Sequence, residues 1–575
     1  MKKTFAIILA ASALFCACGQ KASTPAAEDT RSKQQILFED GNYAMFIHFG
    51  LFSNYEGVWD GKTYRGCAEW IMRQAEVPID EYKARAATFN PSEFDAKAIA
   101  QLAKDAGMKY IVLTTKHHEG FAMFDSAVSD FDIIDACPCG RDLVKELADA
   151  CHEAGIGIGL YYSQFGDWTT AGSTSGPKTD ENGRPVPFEE YFRSKCVPQV
   201  KELLTNFGEL ELVWFDAPGR IGPEYSKELV DLVHEMQPGC LVSSRVGNGM
   251  GDFTSGGDME IPSSTKPGLW EAIDVTQSAW GYSRNDSEWK SPEYILKTLL
   301  SIVARGGTYM LNVGPDHLGR IADEAQQALR KAGEWIKKYP QTVYGADPSP
   351  WGHSLQWGDA VSQGDRLYLL VYDWPRNGVL EVPGLKTDIK KARICNGKKL
   401  KVSQDEAGAK ISVPGIAPEE MVSVIELTFD GELQIDSTLT TIKGYSTILP
   451  TALAQRTGCN HGVTAYAERF GEYITRYGLS KIEKGAEATW TIDIPAEGYY
   501  DFDINMRGSE FVDFVITTDE GESLNDRQLS HDTYLWIRGG WIRFNSPGRH
   551  TVTLSFPEGA PSDLSVTGLR ITPVI

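Results

Sequence analysis

Tyr110-Ile111-Val112-Leu113-Thr114-Thr115-Lys116-His117-His118 begins as an unbroken apolar run and ends on three polar, ionisable side chains. An apolar run without alternation suits a strand covered on both faces, as in a parallel sheet. Just before it, Phe94, Ala98, Leu102 and Ala106 share one stripe and predict a helix over 94–107. The same alternation extends in both directions. Strand-like runs at 43–49, 156–163, 210–217, 240–246 and 309–313 are interleaved with helical patterns at 143–154, 293–304 and 322–338. Such β-α repeats predict an α/β fold, a (β/α)8-like barrel over 36–345. An open doubly wound sheet is the alternative, but no Gly-rich phosphate fingerprint follows the first strand.

Polar side chains collect at the C-terminal ends of these strands: His48, Lys116 to His118, Tyr161 and Ser163, Asp216, and Arg245. In a barrel those ends form one mouth, where catalysis resides. In Val213-Trp214-Phe215-Asp216-Ala217-Pro218-Gly219 an ionisable residue closes an apolar strand before a Pro-Gly break. A carboxylate held on such a rigid element is placed for in-line attack on an anomeric carbon. Glycoside hydrolysis needs a second, protonated carboxyl, and Asp258, Glu260 and Glu271 are the candidates, in a Gly-rich stretch around Trp270. His117 and His118 invite a metal reading, but no third ligand stands at zincin-like spacing, so no metal is expected.

Taken together, His48-Phe49-Gly50, Ala68-Glu69-Trp70, Lys116-His117-His118-Glu119-Gly120-Phe121, Gly159-Leu160-Tyr161-Tyr162-Ser163 and Trp214-Phe215-Asp216 resemble glycoside hydrolase family 29, the α-L-fucosidases. Trp280-Gly281-Tyr282 and Leu311-Asn312-Val313-Gly314-Pro315 continue the likeness, which covers roughly 36–430. The resemblance implies retaining exo-cleavage of terminal α-L-fucosyl residues from oligosaccharides or glycoconjugates, with neither metal nor organic cofactor. Asp216 matches the family nucleophile, and Glu260 best matches the place of the acid/base, with Glu271 as the alternative. His48, Glu69, Trp70, His117, His118, Tyr161, Trp214 and Arg245 match sugar-holding positions. Tyr162 is the alternative to Tyr161, because neighbouring strand residues point to opposite faces. Competing readings are a glycosidase of another sugar such as galactose and a non-catalytic glycan-binding lipoprotein; the second would lack paired carboxylates.

Beyond the barrel, period-2 alternation predicts an antiparallel β-sandwich over 348–432 and a further all-β domain over 440–575. The last is a candidate for carbohydrate binding through Trp490, Tyr499, Tyr500, Trp536 and Trp541, although most such rings belong to cores. The strand-end constellation lies wholly before residue 320, so this domain is expected to be dispensable for small substrates. At the start, Lys2 and Lys3 precede an apolar run over 5–15 that is too short to span a bilayer. Ala17-Cys18 resembles a lipobox, which predicts a lipoprotein-type signal over 1–18, a polar tether over 19–35 and a bacterial periplasmic or outer-membrane address. Membrane contact is expected only through that anchor. A net charge of −22 excludes a phosphate-binding footprint and hence nucleic acid as a partner. The scattered cysteines are expected to be mostly buried thiols.

Overall fold

A computed structural model describes residues 31–468 and 472–574. The expected signal and most of the tether lie outside the described residues. The tether's end is a helix instead, Lys33–Gly41, because Ser32 and Gln35 cap it reciprocally.

The apolar runs become eight parallel strands: β1 (Tyr43–Ile47), β2 (Tyr110–Lys116), β3 (Gly157–Ser163), β4 (Leu212–Asp216), β5 (Leu241–Val242), β6 (Thr254–Ser255), β7 (Trp270–Val275) and β8 (Thr308–Val313). Their order is β5-β4-β3-β2-β1-β8-β7-β6, and a parallel bridge between Ser243 and Phe253 joins the two ends into a ring. Outside it pack α1 (Ala96–Ala106), α2 (Leu143–Ala154), α3 (Val197–Asn206), α4 (Pro223–Met236), α5 (Pro292–Val303) and α6 (Asp323–Lys338). Asp95 and Asp142 cap the first two, each accepting a backbone N–H, and Gly107 and Gly155 end them in the left-handed conformation.

Two arcs lack an α-helix: only the short 3-10 turn Ser244–Val246 separates β5 from β6, and no helix separates β6 from β7. Loops take their place at the mouth. Hydrophobic patterning does not announce β6, β7, α3 or α4, and of these β7 stands nearest the site. Trp270 and Ala272 face the helices while Glu271, Ile273 and Val275 turn inward, and the inward carboxyl disguises a fully buried strand.

The sandwich packs a four-stranded sheet on a three-stranded one around Trp351, Trp357, Leu369, Leu380 and Ile411. It is joined to the barrel by the Trp335 indole N–H, which donates to the Val422 carbonyl at 2.8 Å, and by the buried Arg305–Asp359 pair. The last region is two six-stranded sheets around Trp490, Phe502, Phe514 and Leu554. Trp490 and Tyr500 are core, whereas Tyr499 and Trp541 are exposed and meet edge to face at 4.7 Å. One hairpin, β9 (Asn460–Glu468) with β10 (Glu472–Ser480), departs from this pattern. Leu479 pairs with Val566, which ties β10 to the rest of its sheet, and the remainder of the hairpin projects towards the barrel mouth.

Candidate active site

The strand ends converge on a cavity of about 690 Å³. Asp216 ends β4 and its backbone N–H donates to Gln164 Oε1. Its Oδ2 accepts from the Tyr161 hydroxyl at 2.9 Å and lies 3.4 Å from His118 Nε2; its Oδ1 is 3.3 Å from Arg245 Nη1. Burial works against ionising this carboxyl. The His118 and Arg245 charges outweigh it, helped by hydrogen bonds from the Ala217 N–H and Tyr161, so its pKa sits below the usual carboxylate range. Asp216 is therefore an anion aimed into the mouth.

His48 and His117 are held as neutral rings. His48 Nδ1 lies 2.7 Å from Asn312 Oδ1, and the Asn312 amide is oriented by its own donation to the Trp280 carbonyl. Nδ1 of His48 is thus the donor, and Nε2 is left to accept a hydroxyl. Burial pushes this ring down to about 4. Burial also drives His117 well below its ordinary value, and its Nδ1 has no protein partner. Ser163 gives its proton to the Gly166 carbonyl and so takes one from His118 Nδ1, 2.7 Å away. Glu69 accepts the Gly281 N–H at 2.9 Å, and burial pushes its carboxyl up to about 7.

All the expected sugar-holding residues line this cavity except Tyr161, which lies beneath and supports Asp216. Tyr162 instead points outward, donating to Gln199 Oε1 at 2.8 Å. The structure corrects the placement of Glu260. Its carboxylate is held by Lys266 at 2.9 Å and by the Gly257 N–H at 2.9 Å, and it lines a separate cavity of about 520 Å³. Met259, at φ 53°, turns the chain between residues 258 and 260, so their side chains diverge. Glu271 is not at the mouth either: it accepts the Trp214 indole N–H inside the barrel, and burial pushes it up to about 7. Of the three candidates for the second carboxyl, the one that lines the cavity with Asp216 is Asp258, whose Oδ1 accepts from Arg245 Nη2 at 2.5 Å. One guanidinium, lying over the Trp214 ring at 4.9 Å, spans both aspartates.

The strand-end constellation lies before residue 320 as expected, but the cavity wall extends beyond it: Ala467 and Tyr473, from the β9–β10 hairpin, line the same cavity. Asn312 and Trp280 stood inside motifs already singled out, so their involvement was open to reading. Tyr473 carries no comparable signal in its surrounding sequence.

A closed parallel barrel with a strand-end carboxylate anion, a second aspartate and neutral rings ready to exchange hydrogen bonds with hydroxyls is the constitution of a barrel glycoside hydrolase. A family model described as "Alpha-L-fucosidase" matches residues 13–341. The chain belongs to the α-L-fucosidase family and is a hydrolase of that activity. Tissue α-L-fucosidase of Macaca fascicularis is 29% identical over 424 residues, covering 68% of this chain and 88% of that one. Among solved structures, the α-L-fucosidase of Vibrio sp. strain EJY3 has a TM-score of 0.78 at 27% identity, covering 93% of this chain and 97% of that one. A Bacteroides thetaiotaomicron α-L-fucosidase, described as a trapped covalent intermediate in complex with 2-fluoro-fucosyl fluoride, has a TM-score of 0.64 at 29% identity, covering 69% and 96%.

Proposed function

We propose that the protein is a retaining exo-α-L-fucosidase that removes terminal α-L-fucosyl residues from glycans by double displacement. Asp216 is the nucleophile and Asp258, rather than Glu260, the acid/base. The observation that carries this reading is the single arginine joining two aspartates on the wall of one cavity. The covalent intermediate described for the Bacteroides enzyme supports retention.

In the first step Asp216 attacks C1 of the fucosyl unit as Asp258 gives its proton to the departing glycosidic oxygen. In the second, Asp258 takes a proton from water, which attacks C1 and frees Asp216 and L-fucose. Arg245 couples the two roles. Its guanidinium contacts both carboxylates and so holds the two reacting groups on one wall through both steps. Neutral His48 and His117, with Glu69, exchange hydrogen bonds with the sugar hydroxyls. Groups built to pair with a hydroxyl reject analogues lacking it far more strongly than an apolar wall rejects an added group.

Asp216→Gly is expected to lower kcat by about 10⁴-fold or more, with partial recovery in azide as the small anion attacks from the vacated space. Asp258→Asn is expected to lose about 10²–10⁴-fold on glycans, whose alkoxides need a proton, and far less on α-L-fucosyl fluoride. Glu260→Gln showing that selective loss in place of Asp258→Asn would move the acid role to Glu260.

A further inference from the structure

We propose that the β9–β10 hairpin completes the leaving-group side of the active site. Thr475 and Arg476 act as positioning residues for the Asp258 loop, and Tyr473 forms a wall that selects a sugar as the leaving group. The proposal rests on the reading of Asp258 as the acid/base.

The loop carrying Asp258 occupies the helix-free arc of the barrel, so no outer helix braces it. On its inner side the Met259 N–H donates to the Ile273 carbonyl of β7 at 3.1 Å. On the other side the hairpin takes hold of two successive carbonyls. The Thr475 N–H donates to the Asp258 carbonyl at 2.8 Å, and Arg476 Nη1 donates to the Met259 carbonyl at 2.8 Å. Met259 sits in the left-handed region, which a methionine keeps only when its surroundings impose it. The Arg476 bond falls on that same residue. Gly257 permits the approach: a Cβ there would stand 2.3 Å from Thr475 Cγ2. The hairpin is seated, since Tyr466 and Ile474 are buried in one cluster with Met259 and Phe253.

Tyr473 stands, with Trp70, on the exposed part of the cavity wall. His48, Glu69, His117 and Trp214 are all buried, while Tyr473 is 48% exposed at the rim. A fucosyl unit attacked by Asp216 sits among the buried groups, so its leaving group must project past Asp258 towards the rim. Tyr473 offers it an aromatic face there, and Ala467, opposite Tyr473 in the hairpin register, is too small to obstruct it. The chemistry that fits is a hexopyranose, with a C–H face for the ring and hydroxyls for the surrounding water. A small or spherical leaving group makes no use of this wall.

The test compares an α-L-fucosyl disaccharide with α-L-fucosyl fluoride, whose leaving group needs little protonation and carries no sugar. Tyr473→Ala is expected to lower kcat/KM for the disaccharide at least tenfold more than for the fluoride, chiefly through KM, with Tyr473→Phe close to the parent. Arg476→Ala is expected to lower kcat for the disaccharide at least tenfold more than for the fluoride and to steepen the dependence of rate on leaving-group acidity, with partial rescue by Arg476→Lys. Parallel losses on both substrates, or parental kinetics on the disaccharide, in folded variants would overturn the proposal. Asp258→Asn, measured alongside, separates the two readings. Equal loss on both substrates there removes Asp258 as the acid, whereas the Tyr473 ratio reports on the wall alone.

Discussion

Glu271 shows how a carboxyl can be buried in a barrel and still stand outside the reaction. Its pKa of about 7 in the fold, against 4.5 for the ordinary group, means that the folded chain favours its protonated form. The linkage then has a fixed sign. Below about 4.5 the group costs nothing; the cost grows as pH rises through that window and is complete above about 7. Glu271→Gln, which keeps an acceptor for Trp214, is expected to raise Tm by about 2–4 °C at pH 8 and scarcely at pH 5, without discriminating between leaving groups. Scanning calorimetry at the two pH values checks this, and a gain confined to pH 5 would refute it. At this scale much of the site was legible in advance. Asp216, His48, His117, His118, Trp214 and Arg245 follow or close apolar strands, where topology alone directs them to one mouth. The proposed acid was not, because Asp258 and Glu260 share a loop with no periodicity. Which of them faces Asp216 is decided by the left-handed turn at Met259.

Among the elements, the same device appears twice: Ala217 and Met259, each directly after an aspartate that lines the cavity, have φ of 51° and 53°. Non-glycine residues in that region carry about 1–3 kcal/mol of strain, which persists only where the surroundings fix it. Contacts across the Asp258 turn therefore matter beyond their number. Gly257→Ala is expected to drive a methyl group into Thr475, cost about 1–3 kcal/mol as overpacking, and lower kcat/KM on glycans several-fold more than on the fluoride. Denaturant melts and paired kinetics check it; unchanged glycan kinetics would mean the loop tolerates displacement of the hairpin. Six of the eight barrel strands and the helices α1, α2, α5 and α6 were readable from their apolar patterns. The strand β7 was not, because Glu271 and Asp274 break its apolar run, although Asp274 is held by Lys290 and the Tyr309 hydroxyl. The hairpin's role was invisible for another reason. Its contacts join residues more than 200 positions apart, and separations of that size leave no local pattern.

At the scale of the whole molecule, a barrel, a sandwich and a two-sheet domain are arranged so that the last reaches back to the first. The lipobox-like Cys18 adds a proposed membrane tether. In a host bacterium, labelled palmitate is expected to enter the parent chain and not Cys18→Ala, and labelling that persists in Cys18→Ala but is lost in Cys16→Ala would move the anchor to Cys16. The hairpin's attachment has a temporal consequence. The partner of Leu479 is Val566, in the strand Ser565–Pro573. Ribosomes deliver a chain from its N-terminus, so the barrel is synthesised long before that strand exists. The pairing that anchors the hairpin forms only after Val566 has been synthesised. A chain cut short of Val566 thus keeps the strand-end residues but lacks the pairing that ties the hairpin to its sheet, and on the proposed role of the hairpin its full glycan-cleaving capacity waits on the docking of Ser565–Pro573.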